Sequence, residues 1–180
     1  MIEVIAVIFS LLSVYLTVKM KVINWPVGIV GISAYFVLFY QQHLYAQAAL
    51  QVIFITQSVY GWIVWRKYKE RELCFIPMSN LFRDLMVTLV LTCIMTFVLD
   101  KYTNNPQPAL DSVTTLLSLL ATWYMARKII YNWLIWLLAD VFFVIMFAEQ
   151  KMYWSAGLYF IFMFLVIKGL TEWEKNTTTA

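Results

Sequence analysis

A long central stretch of this chain carries no formal charge, and that feature limits the possible folds more than any other. Residues 22–65 contain no aspartate, glutamate, lysine or arginine. A helix needs roughly 20 mostly apolar residues to cross the hydrocarbon core of a bilayer, so the stretch is long enough for two crossings. We therefore expect a hairpin of two membrane helices that turns at Gln42 and His43.

The composition of the whole chain agrees with a membrane protein. Hydrophobic residues make up 63% of it and charged residues 13%, whereas soluble domains carry about 25% charge. So few charges cannot cover a protein surface in water, but a bilayer requires no polar cover. The sequence predicts an all-α integral membrane protein with the lipid bilayer as its surroundings. The net charge of +3 is small and its basic residues lie between apolar runs, so we expect no nucleic-acid partner.

The spacing of the charges predicts seven transmembrane helices. Polar segments at 66–84 and 100–108 separate the apolar runs in the middle of the chain. The predicted helices lie near residues 2–18, 22–40, 44–65, 85–99, 110–126, 129–147 and 152–171.

An internal repeat relates the two ends of the chain. Shifting the sequence by 108 positions aligns residues 2–67 with 110–175 without a gap, and fifteen residues are identical. The matches include the Asn-Trp pairs at Asn24 and Asn132, and Gly61 with Gly169. We therefore predict a first three-helix repeat at 1–67, a linker with the fourth helix at 68–109, a second repeat at 110–175 and a tail at 176–180.

The number of helices fixes the relative direction of the two repeats. Three crossings followed by a fourth return the chain to its starting side, so the repeats insert in parallel, a 3+1+3 arrangement. Eleven of the thirteen basic residues then fall on one side, and only Lys101 and Lys151 fall on the other. The positive-inside rule makes the first side cytoplasmic, which predicts an external N-terminus and a cytoplasmic C-terminus.

Asp140 is the clearest candidate for a substrate-binding residue. It is the only formal charge between Lys128 and Glu149, and it lies near the middle of the sixth predicted helix. Trp133 and Trp136 share its helical face, which therefore offers two aromatic planes and one anion. Such a face suits a planar cation. Alternatively, Asp140 bonds to a neighbouring helix and the tryptophans pack.

Polar residues on other helices extend this candidate site. The third helix carries glutamines and a serine at helical spacing, followed by a tryptophan, and the fifth carries a stripe of hydroxyl residues with a tryptophan beside it. The candidates are Gln51, Gln57, Ser58 and Trp62 on the third helix, and Thr122 and Trp123 on the fifth. Small hydroxyl residues such as Ser118 and Thr122 also let membrane helices approach closely, so a structural role stays open for both.

Enzymatic function is disfavoured by the residues that are present. His43 is the only histidine, and the sequence contains neither a glycine-rich phosphate loop nor a nucleophile elbow. We expect no metal and no cofactor. A membrane assembly protein that transports nothing remains as an alternative class.

Two sequence blocks resemble the PnuC family of bacterial vitamin transporters. They are Asn132-Trp133 with Trp136, and Tyr60-Gly61-Trp62 with Trp65. The resemblance implies a 3+1+3 fold like that of full-length SWEET transporters, a location in the bacterial inner membrane, and facilitated diffusion of a vitamin that a cytoplasmic kinase then traps by phosphorylation. It also implies a possible homotrimer, and it places Asn132, Trp133, Trp136, Gln51, Gln57 and Ser58 in the substrate site.

This chain departs from the family pattern at two positions. Family members that carry nicotinamide riboside have asparagine where Asp140 and Gly31 stand. Losing both leaves fewer partners for ribose hydroxyls, whereas thiamine has no sugar and carries a permanent cation. We therefore expect the protein to transport thiamine. Nicotinamide riboside is the alternative substrate, because its ring is also a cation.

Overall fold

The computed structural model describes residues 2–41, 45–67 and 73–178, and this part of the chain contains seven α-helices. They are α1 (Ile2–Val18), α2 (Asn24–Gln41), α3 (Tyr45–Lys67), α4 (Met78–Tyr102), α5 (Pro108–Ala126), α6 (Asn132–Glu149) and α7 (Tyr153–Thr178). The prediction of an all-α chain with seven helices is confirmed. The predicted turn at Gln42 and His43 lies outside the described residues, and α7 continues into the predicted tail.

Several helices suit a bilayer by length and composition. Within the described residues, four segments are long and apolar enough to cross a membrane: Ala48–Lys67, Met78–Tyr102, Asn132–Glu149 and Ser155–Lys175. A shorter apolar helix spans Val4–Val18. Large apolar side chains such as Phe97 and Phe164 are more than half exposed. Exposed apolar surface on this scale requires a lipid environment.

Six helices form a closed ring, and α4 lies outside it. Within the described residues, α1 contacts α2, α2 contacts α3, α3 contacts α5, α5 contacts α6, α6 contacts α7, and α7 contacts α1. In the same part of the chain, α4 packs against α5 alone. The first three helices therefore meet the last three along two seams, α3–α5 and α1–α7.

The start of α4 differs from the prediction. The helix begins at Met78 directly after Pro77, rather than at residue 85. Arg83 pairs with Asp84 at 2.9 Å, and the Tyr124 hydroxyl of α5 donates to the other carboxylate oxygen of Asp84 at 2.8 Å. The charges of Arg83 and Asp84 are therefore both paired. Because of this pairing, residues that the sequence analysis assigned to a polar segment form the first turns of α4.

The turns α1–α2 and α5–α6 have the same backbone structure. Met20 and Lys128 both have positive φ, 52° and 57°, a conformation that is uncommon for residues other than glycine. The Met20 amide donates to the Thr17 carbonyl at 2.9 Å, and the Lys128 amide donates to the Met125 carbonyl at 3.0 Å. The offset between the two turns equals the 108 positions of the predicted repeat.

The described part of the segment before α4, residues 73–77, supports the second of these turns. Cys74 donates its amide to the Lys128 carbonyl at 2.9 Å and accepts from the Ile130 amide at 3.2 Å. This extended contact is the parallel bridge of Cys74 with Ile129. It fixes the start of α6, and therefore the register of Asp140.

Candidate functional site

Four tryptophans meet at one end of the helix ring. Trp25, Trp65, Trp133 and Trp173 are each at most 2% exposed. The Trp133 and Trp173 rings pack edge to face at 5.3 Å, and the Trp25 and Trp65 rings do so at 5.5 Å. Trp65 and Trp173 join the two pairs at 6.0 Å. The structure therefore places Trp133 against protein side chains.

Glycines explain why two of these rings fit. A Cβ added to Gly61 would lie 2.4 Å from the Trp25 ring, and one added to Gly169 would lie 2.4 Å from the Trp133 ring. Only glycine leaves room for each indole. The matched Asn-Trp and Gly positions of the repeat therefore have a packing function, the alternative that the sequence left open for Trp133.

Asn132 closes the turn that leads into α6. Its Nδ2 donates to the Ile129 carbonyl at 2.7 Å, while the equivalent Asn24 donates to Thr17 Oγ1 at 2.7 Å. Both side chains are at most 1% exposed. Since each asparagine holds its own turn, the structure assigns Asn132 a local role beside the tryptophan cluster.

Asp140 lies deep in the ring. It is 3% exposed, and its Oδ2 has no hydrogen-bond partner within the described residues. A buried carboxyl oxygen is costly unless a proton, a water molecule or a cation meets it. The site around Asp140 is therefore suited to a cationic ligand.

Aromatic rings that the sequence analysis did not single out lie near Asp140. The Tyr159 ring of α7 stacks on Phe143 at 4.2 Å and on Phe147 at 5.4 Å. Phe143 and Phe147 lie one and two turns beyond Asp140, a spacing that could have identified them. Tyr159 could not be identified in this way. Its equivalent in the first repeat is Gln51, a residue of a different type.

Trp136 is the tryptophan nearest to Asp140 along the helix, four residues before it. Its ring is partly buried and packs against both hydrophobic clusters of the protein, the tryptophan cluster and the one around Leu117 and Ala139. Trp136 therefore lies between the tryptophan cluster and the part of α6 that carries Asp140.

Helix α5 presents a buried polar face. Ser112, Thr114, Thr115, Ser118 and Thr122 are each at most 8% exposed. Thr122 donates to the Ser118 carbonyl of its own helix at 2.8 Å, which satisfies its hydroxyl locally. The Ser118 Oγ has no partner within the described residues, so Ser118 is the member of this face that is available to a ligand.

Helix α3 contributes a glutamine and a serine. Gln57 donates through Nε2 to the Leu119 carbonyl of α5 at 3.3 Å, while its Oε1 lacks a partner within the described part of the chain. Ser58 is 4% exposed. Gln51 is half-buried, nearly two turns closer to the start of α3.

Two predicted site residues lie at the outside. Trp62 is 36% exposed and Trp123 is 39% exposed. The Trp123 ring stacks on Tyr60 at 5.2 Å, with the Arg127 guanidinium 5.2 Å from its centroid. The structure therefore separates Trp123 and Trp62 from the buried polar groups.

Three unpartnered polar groups lie at one depth in the bundle. The Gln57 contact with Leu119 places Gln57 level with Ser118. Leu117 and Ala121 of α5 pack with Ile135 and Ala139 of α6, which places Ser118 level with Asp140. One carboxylate and two neutral oxygens thus occur at the same level on three adjacent helices. The described residues contain no cluster of three His, Cys, Asp or Glu side chains that could hold a metal ion.

Comparison with known proteins identifies relatives over almost the whole chain. The family model described as nicotinamide mononucleotide transporter matches residues 1–175. The nicotinamide riboside transporter PnuC of Escherichia coli (strain K12) is 27% identical, covering 96% of this chain and 84% of that protein. The riboflavin/roseoflavin transporter RibM of Streptomyces davaonensis is 23% identical, covering 92% of this chain and 81% of RibM.

A solved structure has the same fold. The crystal structure of the vitamin B3 transporter PnuC superposes with a TM-score of 0.80 at 18% identity, covering 99% of this chain and 82% of that one. The similarity extends over all seven helices, including the peripheral α4.

Proposed function

Because this chain belongs to the nicotinamide mononucleotide transporter (PnuC) family, we propose that it is a membrane facilitator for nicotinamide riboside. Family membership makes the chain a vitamin transporter, not an enzyme, and removes the alternative of an assembly protein that transports nothing. The resemblance seen in the sequence is thereby confirmed. The identity of the vitamin is the part that we propose.

The buried and unpartnered oxygens of Asp140, Gln57 and Ser118 on three adjacent helices are the observation that carries this proposal. Trp136 and Phe143 lie one turn before and one turn after Asp140 on α6. A pyridinium ring is a flat cation, so it can stack on such rings while the carboxylate balances its charge. Asp140, Trp136, Gln57 and Ser58 remain in the proposed site, with Gln51 toward the outer side and Ser118 added.

The expectation of thiamine is not supported. It depended on a shortage of partners for a ribose, but Gln57 Oε1 and Ser118 Oγ are both buried and unpartnered at the level of Asp140. Ribose hydroxyls can donate to both oxygens, and thiamine has no sugar to offer them. The E. coli relative, which is named for nicotinamide riboside, favours the same vitamin.

We propose that transport is facilitated diffusion. A single buried charge suffices to bind a cation, and among the described residues no second buried acid shares its level as an ion relay. Uptake then becomes one-way when a cytoplasmic kinase phosphorylates the vitamin, because the phosphate of the product is an anion that the Asp140 carboxylate repels.

The remaining proposals concern the assembly. We propose parallel 3+1+3 repeats of the SWEET type, supported by the equivalent turns at Met20 and Lys128. The distribution of basic residues supports a location in the inner membrane with an external N-terminus and a cytoplasmic C-terminus. The peripheral helix α4 leaves most of its surface exposed, and a homotrimer would cover part of it.

A binding titration tests the choice of vitamin. Purified protein is titrated with nicotinamide riboside, thiamine and riboflavin, and tryptophan fluorescence is followed. We expect nicotinamide riboside to bind at least tenfold more tightly than the other two. Tighter binding of thiamine would restore the first expectation, and tighter binding of riboflavin would show that a neutral ring fits and that Asp140 has another role.

A further inference from the structure

Two indole N–H groups bond across the seams between the first three and the last three helices. Trp65 of α3 donates through Nε1 to the Met125 carbonyl of α5 at 3.2 Å. Trp173 of α7 donates through Nε1 to the Thr17 carbonyl of α1 at 3.1 Å. Each seam of the ring therefore carries one such bond.

The two bonds are equivalent under the 108-position offset. Trp65 aligns with Trp173, and Thr17 aligns with Met125. Each half thus donates one tryptophan and accepts through one carbonyl. We call this pair of bonds the reciprocal latch.

The acceptor carbonyls are available for a specific reason. Carbonyls in the last turn of a helix lack an intrahelical partner. Thr17 and Met125 lie in the last turns of α1 and α5, where each accepts the amide of the positive-φ residue that closes the turn, Met20 or Lys128. A carbonyl oxygen has a second lone pair, and the tryptophan of the opposite half uses it.

The rest of the cluster gives a contrast within the same environment. Trp25 and Trp133 are equally buried, yet their Nε1 atoms have no acceptor within the described residues. Burial alone therefore does not produce these bonds. Of the four indoles, only the pair at the seams is tied across them.

We propose that the reciprocal latch closes this end of the ring, and that both bonds must break together for the site to open there. Trp65 and Trp173 are positioning residues: they contact no ligand but hold two helices of the opposite half. The role of the latch as a gate rests on the proposed transport function. Because the test of the latch uses no substrate, the latch proposal and the transport proposal can fail separately.

Phenylalanine substitutions remove each N–H while keeping an aromatic ring. Val64 is 8% exposed and packs in the tryptophan cluster, so a Val64→Cys thiol reports its opening. The native cysteines are first removed by Cys74→Ser and Cys93→Ser. The labelling rate with a small maleimide is then measured for Trp65→Phe, Trp173→Phe, the double variant, and Trp25→Phe as the control.

We expect Trp65→Phe and Trp173→Phe each to raise the labelling rate about two- to tenfold, the equivalent of one net hydrogen bond. The double variant should approach the product of the two factors, because one opening breaks both bonds. Trp25→Phe removes the same ring volume from the cluster without removing a bond, so it should raise the rate less than either Trp65→Phe or Trp173→Phe. Equal rates for all three single variants would show a packing effect only, and an unchanged rate in the double variant would exclude a latch.

A second measurement needs no substitution in the latch itself. In protein labelled with ¹⁵N-tryptophan, hydrogen exchange of the Trp65 and Trp173 indole protons is followed by NMR. A latch that opens as a unit predicts one common rate for both. Two clearly different rates would overturn the proposal even if the phenylalanine variants failed to fold.

Discussion

At the scale of single residues, Asp140 stands out by its surroundings. A carboxyl group 3% exposed, with one oxygen unpartnered within the described chain, is stabilised poorly by the protein alone. Asp100, near the C-terminal end of α4, is exposed. The contrast between the two carboxylates gives a matched pair for mutation.

Asp140→Asn should weaken binding of nicotinamide riboside by about ten- to a hundredfold, or about 1–3 kcal/mol, because this chain has Gly31 in place of the second asparagine that accompanies the first in family members for this vitamin. The substitution keeps the shape of the side chain and removes the charge that balances the pyridinium. Asp100→Asn, the control, should leave the affinity unchanged. Isothermal calorimetry of the two variants provides the measurement.

The uncharged reduced form of nicotinamide riboside separates charge from shape. It should bind the native protein more weakly than the cation and should lose little affinity on Asp140→Asn, because it has no cation to balance. If Asp140→Asn instead lowered only the melting temperature and left cation affinity unchanged, Asp140 would be a helix-packing residue.

At the scale of helices, contacts between an indole and a glycine set the spacing of α2 with α3 and of α6 with α7. Trp25 lies on Gly61 and Trp133 lies on Gly169, each with no room for a methyl group. Gly157, on the same helix as Gly169, has nothing within 4 Å of an added Cβ. The two glycines of α7 therefore predict opposite responses to alanine.

Gly169→Ala should destabilise the protein by about 1–3 kcal/mol, because the Trp133 ring must move out of a packed cluster. Gly157→Ala should be neutral or stabilising by up to about 1 kcal/mol, since alanine favours a helix over glycine. Thermal unfolding in detergent compares the two. Equal shifts in melting temperature would show that the indole adjusts without cost.

At the scale of the whole molecule, seven crossings would place the two ends of the chain on opposite sides of the membrane. A cytoplasm-only reporter fused at the C-terminus should be active, and one fused after Asn105 should be inactive. Eleven of the thirteen basic residues support that orientation. The reverse pattern of activity would contradict the orientation, and equal activity at both sites would contradict the odd number of crossings between them.

Reconstituted transport tests the energetics of the molecule. Proteoliposomes held at zero membrane potential should fill with nicotinamide riboside only until the internal and external concentrations are equal, whether or not a sodium or proton gradient is imposed, because a potential by itself would concentrate a cation. Enclosing a kinase and ATP should allow further uptake as phosphorylated product. Accumulation of the unmodified vitamin under an ion gradient alone would contradict a facilitator.

The sequence by itself determined the class of protein and most of its helices. Charges are so costly in a bilayer that their spacing marks the crossings, and α1 was predicted at its observed bounds, Ile2–Val18. Asp140 was identifiable for the same reason. The start of α4 was missed because the partner that satisfies Asp84, Tyr124, is 40 positions away in the chain.

Only the tertiary structure decided what each aromatic residue does. Helical periodicity gives the face of a residue but not what the next helix brings against it, so Trp133 and Trp136 looked equivalent. Gly169 and Trp173 contact Trp133, whereas Trp136 packs against both hydrophobic clusters of the protein. The reciprocal latch was likewise hidden, because Trp173 and its acceptor Thr17 are separated by 156 positions and meet only when the ring closes.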